Sequence, residues 1–462
     1  MAVWSIIKKS ETEGSSRIDA EYYQPKYLQS ELKIKNIKHD QLGNLISLLT
    51  DYHANGSYEI LRNNIKLLDK PDYALMIRTV DFEKDNFEND VKYVSKHAYD
   101  FLKKTQLFGY EIIINKIGNP GKVYIVPPLN RKITLGMNQF MIRPKKNINC
   151  KYLYVFLISS LGNQLLQRKI TGAVPLSIDK KSVRSVMIPI LDNNFQLYID
   201  MLVEKHLRLR IESKSLYSQA EQILLEELRL KDLDLKDDLF CTTTLKEVKD
   251  NNRMDTEYYM PKYEKLMEHI FNFEHIPLGK LAKFKKGVEP GSDKYFKTGK
   301  PFLRVSNLSK FEIINNNQKY LENNLYMQLK KSYEPKKGEI LLSKDATPGV
   351  AYVLKESIEG IISSGILRLE VASSIKNEYL ALVINSQVGQ MQMKRDSGGS
   401  IINHWKIDQI KNLEIPLLTH DTQKKIENLC CESFLKRKQA KQLLEQAKHK
   451  VEEMIEKEAG IK

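Results

Sequence analysis

Cysteine is scarce in this chain: Cys150, Cys241, Cys430 and Cys431 are all that occur among 462 residues. None forms a CxxC pair or sits in a Cys/His ligand cluster, which argues against a zinc site. So small a set suits a reducing cytoplasm better than a disulfide framework. Cys430 and Cys431 lie in a helical pattern and read as small packing residues. The nine histidines are scattered without ligand spacing. Long apolar runs are missing too. The longest, Leu153–Leu161, is about half of what a membrane span needs. The opening MAVWSIIKKSETEGS has no apolar signal core, so the expectation is a cytoplasmic, non-membrane protein. There is no GxxxxGK[ST] phosphate loop, so ATP hydrolysis is not expected of this chain.

What is abundant is positive charge. Lys+Arg number 73 against 58 Asp+Glu, a net charge of +15. Such an excess biases a protein toward polyanions, most often nucleic acid. The alternative is a lysine-rich surface with no such partner. A composition 42% hydrophobic and 28% charged is ordinary for a globular protein, and the length allows two or three domains.

The dominant feature is a repeat. Residues 17–27 read RIDAEYYQPKY and residues 253–263 read RMDTEYYMPKY, an offset of 236. Leu42-Gly43 returns as Leu278-Gly279 at the same offset, and EIIINKIGNPGKVYIV (111–126) as EILLSKDATPGVAYVL (339–354) at 228. Arg78 in MIRTVDF returns as Arg304 in FLRVSNL. Gly162, Arg168, Gly172, Ile188-Pro189 and Gln196 all return at an offset of 227. The order never changes and the drift is of the kind loops absorb. An internal duplication follows, with a period far too long for a solenoid.

Each copy reads as a mixed α+β domain followed by a long helix. Pro25 and Pro261 suit the first turn of a helix. Short apolar runs bounded by turn residues (ALMIRTV, EIIIN, VYIV, QFMIR and their echoes) read as strands. The closing helices run from about Gln196 to Leu230 and from about Gln423 to Ile455. Leu202, Leu209, Leu216, Ile223 and Leu230 recur at sevens, with Ser213 and Ala220 alongside; Leu429, Leu443, Ala440 and Ala447 match them in the second copy. Apolar sevens flanked by small residues predict helices packed closely along their length. The boundaries expected are a domain over 1–192, a helix over 193–231, a connector over 232–250, a second domain over 251–419 and a second helix over 420–458.

On these residues the chain resembles the S (specificity) subunit of type I restriction–modification systems. The resemblance rests on five features. They are the R-[IM]-D-x-E-Y-Y-x-P opener, the strand ending R-x-[VS]-[DN]-[FL], the E-I-[IL]-[IL]-x-K…P-G turn, the glycine-containing loop, and the I-P strand end before a Gln-initiated helix. Each occurs twice, in order. It implies an α+β fold with two tandem target-recognition domains joined by two long antiparallel, coiled-coil-like helices with pseudo-two-fold symmetry. It implies a non-catalytic subunit that reads an asymmetric bipartite site in duplex DNA. Its partners would be two methyltransferase (M) subunits and restriction (R) subunits, with S-adenosylmethionine, ATP and Mg on those partners and no cofactor or metal in this chain. The rival classes are a methyltransferase or nuclease with built-in recognition, and a protein–protein scaffold. No segment reads NPPY or DPPY, and no glycine-rich methyl-donor loop follows a strand.

The candidate DNA contacts follow from side-chain chemistry. Arg78 and Arg304 close apolar strands, and arginine can pair bidentately with guanine or phosphate; a salt bridge from Arg78 to Asp81 is the competing reading. Lys116 and Lys344 precede Pro-Gly turns and could touch a DNA backbone. Asn138 and Gln139 carry amides suited to adenine. The loops Arg168, Lys169, Thr171, Gly172 and Lys394, Arg395, Ser397, Gly398, Gly399, Ser400 combine basic side chains with small residues that let N–H groups approach phosphate. The opener (Arg17, Asp19, Glu21, Tyr22, Tyr23 and Arg253, Asp255, Glu257, Tyr258, Tyr259) is read as architectural, with Arg and Glu four apart pairing on a helix.

Overall fold

The computed structural model describes residues 4–15, 17–88, 90–236, 240–315, 317–397 and 403–460. The chain forms two compact units, residues 1–210 with 438–462 and residues 211–437. Each unit therefore contains one repeat domain and a part of both long helices.

In the first unit, Pro25–Lys35 is a helix with proline in its first turn, where the missing N–H costs nothing. A four-stranded antiparallel sheet runs in the order Ile46–Asp51, Gln139–Pro144, Ile112–Asn115, Val123–Ile125. A second sheet has the order Lys92–Val94, Ala74–Ile77, Lys132–Leu135, Gln106–Leu107, and its two middle strands are parallel. Ala74–Ile77 and Ile112–Asn115 are buried at every position. That is why they read as unbroken apolar runs and not as alternating strands. Helices Cys150–Ile158 and Ser160–Arg168 cover the first sheet. A Cβ on Gly162 would lie 2.0 Å from the Phe156 carbonyl oxygen, so only glycine lets the second helix start so close to the first.

The second unit repeats this wiring. Its four-stranded sheet runs Ala282–Lys286, Ile366–Val371, Ile340–Ser343, Ala351–Val353, all antiparallel. Its second sheet runs Lys319–Leu321, Lys300–Leu303, Ile361–Ile362, with one antiparallel and one parallel pairing and no counterpart of the first unit's Gln106–Leu107 strand among the described residues. Gly389 stands where Gly162 does, 2.4 Å from the Ile384 oxygen for an added Cβ. In each unit a short strand ending in proline (Met187–Pro189, Glu414–Pro416) pairs back to a strand near the start of the domain.

The long helices span Asn193–Glu227 and His420–Glu458. They are antiparallel: in the first unit His206 meets Ala440 and Tyr198 meets Gln446. They belong to the domain cores, since Ile199, Val203, Ala447, Val451 and Ile455 share one cluster with the first sheet. The seam differs from the one the leucines predict. Buried residues recur as Ile199, Val203, His206, Ser213, Tyr217, Ala220, Leu224 and as Ile426, Cys430, Ser433, Arg437, Ala440, Ala447, Val451. Leu202, Leu216, Ile223, Leu429 and Leu443 lie half-buried on its flank, and of that row Leu209 and Leu230 are buried. Small residues own the centre because they let the backbones approach; the leucines cover the sides. Ser213 Oγ donates to the Ser433 carbonyl at 2.8 Å, and Ser433 Oγ to the Ser213 carbonyl at 2.7 Å. In the first unit His206 Nδ1 donates to the Ala440 carbonyl at 2.7 Å, and burial lowers its pKa.

Candidate nucleic-acid interface

The opener is a clamp, and its geometry corrects the expected Arg–Glu pairing. The helical turn is a 3₁₀ turn that begins only at Ala20 (Ala20–Tyr23), and Asp19 before it is extended, so Arg17 shares no helix with Glu21 and grips Asp19 instead. Nε and Nη2 reach the two carboxylate oxygens at 2.7 and 2.5 Å. Tyr23 hydroxyl donates to the Arg17 carbonyl at 2.8 Å. The Tyr22 ring lies between two guanidiniums, Arg17 at 4.6 Å and Arg168 at 4.1 Å. The second copy repeats each contact: Arg253 with Asp255 at 2.6 and 2.5 Å, Tyr259 to the Arg253 carbonyl at 2.9 Å, and Tyr258 between Arg253 and Arg395 at 4.7 and 4.6 Å.

This places two candidate DNA contacts inside the architecture. Arg168 is buried, paired with Glu31, and donates to the Tyr22 carbonyl at 2.9 Å. Arg395 makes the corresponding, looser contact with the Tyr258 carbonyl at 3.4 Å. A side chain bound on its own domain in this way is not offered to a base edge. Lys169, beside Arg168, has its pKa lowered by burial and by that neighbour.

Arg78 is likewise engaged. It closes the strand Ala74–Ile77 and caps the helix Thr79–Glu83, with Asp81 accepting from its backbone N–H at 2.7 Å and from its guanidinium at 2.7 Å. Arg304 sits at the same place, its N–H donating to Asn307 at 3.1 Å and its Nη2 to the Asn317 carbonyl at 2.6 Å.

The remaining candidates of the first unit come together at one strand edge. Lys116 donates its N–H to the Asn138 carbonyl at 2.8 Å, and its own carbonyl accepts from Ile178. Ser177 pairs with Thr171, closing a loop whose tip carries Val174 at 95% exposure. Gly172 has φ +95, and a Cβ there would lie 2.8 Å from the Pro175 oxygen. Asn138 is exposed in the left-handed region at φ 68, which asparagine tolerates. Asp51 lies below this edge, bound by Lys180 at 2.7 Å and Lys116 at 3.2 Å. Burial alone would raise its carboxyl; Lys180 and then Lys116 outweigh it and hold it below the ordinary range. Gln139 is the exception: it is fully buried, opposite Asn115 across the strand pair, and does not face solvent. Lys180 and the apolar loop tip escaped the sequence reading; the loop sequence AVPL, lying between basic segments, was the available signal.

In the second unit Lys344 occupies the same edge. Its N–H donates to the Gly365 carbonyl and its carbonyl accepts from Trp405. Its amine pairs with Asp345 at 2.5 Å, and His404 reaches the same carboxylate at 2.8 Å. Lys394 is exposed and Ser397 ends the helix Gln387–Asp396. Gly398, Gly399 and Ser400 lie outside the described residues. Among the described residues there is no His/Cys/Asp/Glu group that could hold a metal ion and no helix long and apolar enough to cross a membrane.

No curated protein sequence matches the chain. Among solved structures it is similar to a type I restriction–modification S subunit from M. genitalium, at 13% identity over 91% of this chain and 95% of that one, with a TM-score of 0.39. It is also similar to the HsdS subunit from Thermoanaerobacter tengcongensis, at 13% identity over 92% and 96%, TM-score 0.26. The type IIG restriction endonuclease BpuSI matches at 14% identity over 45% of this chain and 35% of that one, TM-score 0.28. In sequence, residues 271–429 match the family described as the type I restriction modification DNA specificity domain. That span takes in the second unit's sheets, its covering helices and the start of its long helix, so the second unit carries a sequence similar to that specificity domain.

Proposed function

We propose that this chain is the non-catalytic sequence-recognition subunit of a type I restriction–modification complex, reading an asymmetric bipartite site in duplex DNA. One observation carries the reading. The order and pairing of the four-stranded sheet in the matched span, and the opener clamp that precedes that span, recur in the first unit. Residues 1–192 are thus a second specificity domain, and two unlike domains read two unlike half-sites. The strand edges carrying Lys116, Asn138 and Thr171-Gly172 in one unit and Lys344 in the other, with the helix end carrying Lys394, are the surfaces offered to DNA. The net charge of +15 favours that partner. Methyltransferase subunits would bring S-adenosylmethionine and modify adenine N6, and restriction subunits would bring ATP and Mg; this chain would direct both.

The helices would act as the ruler between half-sites. A helix of 35 residues is about 50 Å long, against about 34–36 Å for one DNA turn. Sequencing modified adenines in cells that make this chain with its methyltransferase should return a bipartite motif methylated in both halves. One heptad added to both helices should lengthen the gap by about 3 base pairs, because ~10 Å of helix matches about that many steps. An unchanged gap removes the ruler. Tight binding of S-adenosylmethionine by the chain alone would replace this reading with a methyltransferase.

A further inference from the structure

Each long helix carries an arginine that reaches back into the domain of its own unit. In the first unit Arg210 pairs with Asp85. In the second, Arg437 lies 3.8 Å from Glu312 and its guanidinium 4.2 Å over the Phe311 ring. Both pairs obey the repeat: Arg210 and Arg437 are 227 residues apart, and so are Asp85 and Glu312. The acids sit just beyond the capped segments begun by Arg78 and Arg304. Asp85 adopts φ 47 in the turn after Thr79–Glu83, where its N–H donates to the Phe82 carbonyl. The Glu312 carbonyl accepts from Ser309, whose own N–H and hydroxyl both hold it. So a series of contacts runs from the second sheet, through the arginine cap, to the helix. It is present twice although the segments between cap and acid (TVDFEK in one, VSNLSKF in the other) differ at most positions and by one residue in length.

We infer that Arg210–Asp85 and Arg437–Glu312 are positioning contacts that fix the angle of each recognition domain on its stretch of the helices, and so determine which gap between half-sites is accepted. The inference rests on the function proposed above. The acid keeps its place opposite the arginine while the loop that carries it differs, so the contact, and not the loop sequence, ties each domain to its stretch of helix.

The test uses the full chain co-expressed with its methyltransferase, read by sequencing modified adenines. Wild type should show a single gap length. R210A and R437A should each keep both half-sites but raise several-fold the share of sites whose gap is one base pair longer or shorter. The exchange R210D/D85R should restore the wild-type distribution. If the alanine variants do not accumulate, R210K and R437K replace them, since lysine keeps the charge but loses the planar fork; broadening is again expected. An unchanged gap distribution in variants that modify DNA overturns the inference while leaving the recognition function intact. If wild type yields no bipartite motif, the proposed function falls and this inference falls with it.

Discussion

The two units share their wiring and differ in how deeply it is buried. Each holds an arginine–glutamate pair between neighbouring strands. In the second, Arg368 meets Glu339 through two bonds of 2.8 Å with side chains 3% and 7% exposed. In the first, Arg143 meets Glu111 at 3.1 and 3.3 Å, and the arginine is 32% exposed. Removing one partner of a buried pair strands the other charge without water, whereas a partly exposed partner is rescued by solvent. The same motif should therefore matter unequally. Arg368→Ala should cost about 3–5 kcal/mol. Arg143→Ala leaves Glu111, only 4% exposed, still held by the Phe108 and Gly109 N–H groups, and water can enter where the partly exposed arginine stood, so it should cost less, about 1–3 kcal/mol. Denaturant melts of the two variants check this, and equal losses would show that depth does not separate the copies.

Neither pair was legible in the sequence, although both glutamates open quoted repeat segments. Their partners lie on a different strand, and only sheet register brings them together. What was legible had a local cause. The apolar runs, the proline at N1, the glycines at Gly162 and Gly389 and the opener each follow from chemistry within a few residues. The candidate contacts fared less evenly. Arg78 and Arg168 carry the right chemistry for DNA, but a charged side chain says nothing of which acid will claim it. Asp81 lies three residues from Arg78 and could be weighed; Glu31 lies 137 residues from Arg168 and could not. Gln139 failed for a related reason, since alternation along a strand gives two faces without saying which is inside.

The helix seam offers the next contrast, between small central residues and leucines on the flank. An added side chain has no room at a fully buried alanine. Ala440→Leu should destabilise by about 1–3 kcal/mol through overpacking. Leu216→Ala removes only a half-buried side chain and should cost about 1 kcal/mol, less than the 2–5 of a core leucine. If the leucine variant proves the costlier, the leucine row and not the small-residue row is the true interface. Ser433→Ala, which removes the buried Ser433 hydroxyl bond to the Ser213 carbonyl, should cost about as much as the Leu216 truncation, about 1 kcal/mol.

The effect that depends on pH separates a third matched position. Lys169 in the first unit corresponds to Asp396 in the second, each directly after the arginine that stacks on the opener tyrosine. Burial works against both charges: it lowers the lysine pKa and raises the Asp396 carboxyl from its ordinary 3.8 to about 6, despite Arg395 and Arg253 nearby. The folded state thus holds the Asp396 proton more tightly than the unfolded chain does. That contribution to stability is fully present below pH ~4 and is lost as pH rises to about 6, at a cost on the order of 1–2 kcal/mol above it. Asp396→Asn removes the titration while keeping the side chain's size. At pH 7 the variant should be the more stable, and by pH 4 the advantage should have vanished. Thermal melts across that range read the difference directly. A pH-independent gap between variant and wild type would mean that the carboxyl titrates alike folded and unfolded, and that the two copies differ here in sequence but not in electrostatics.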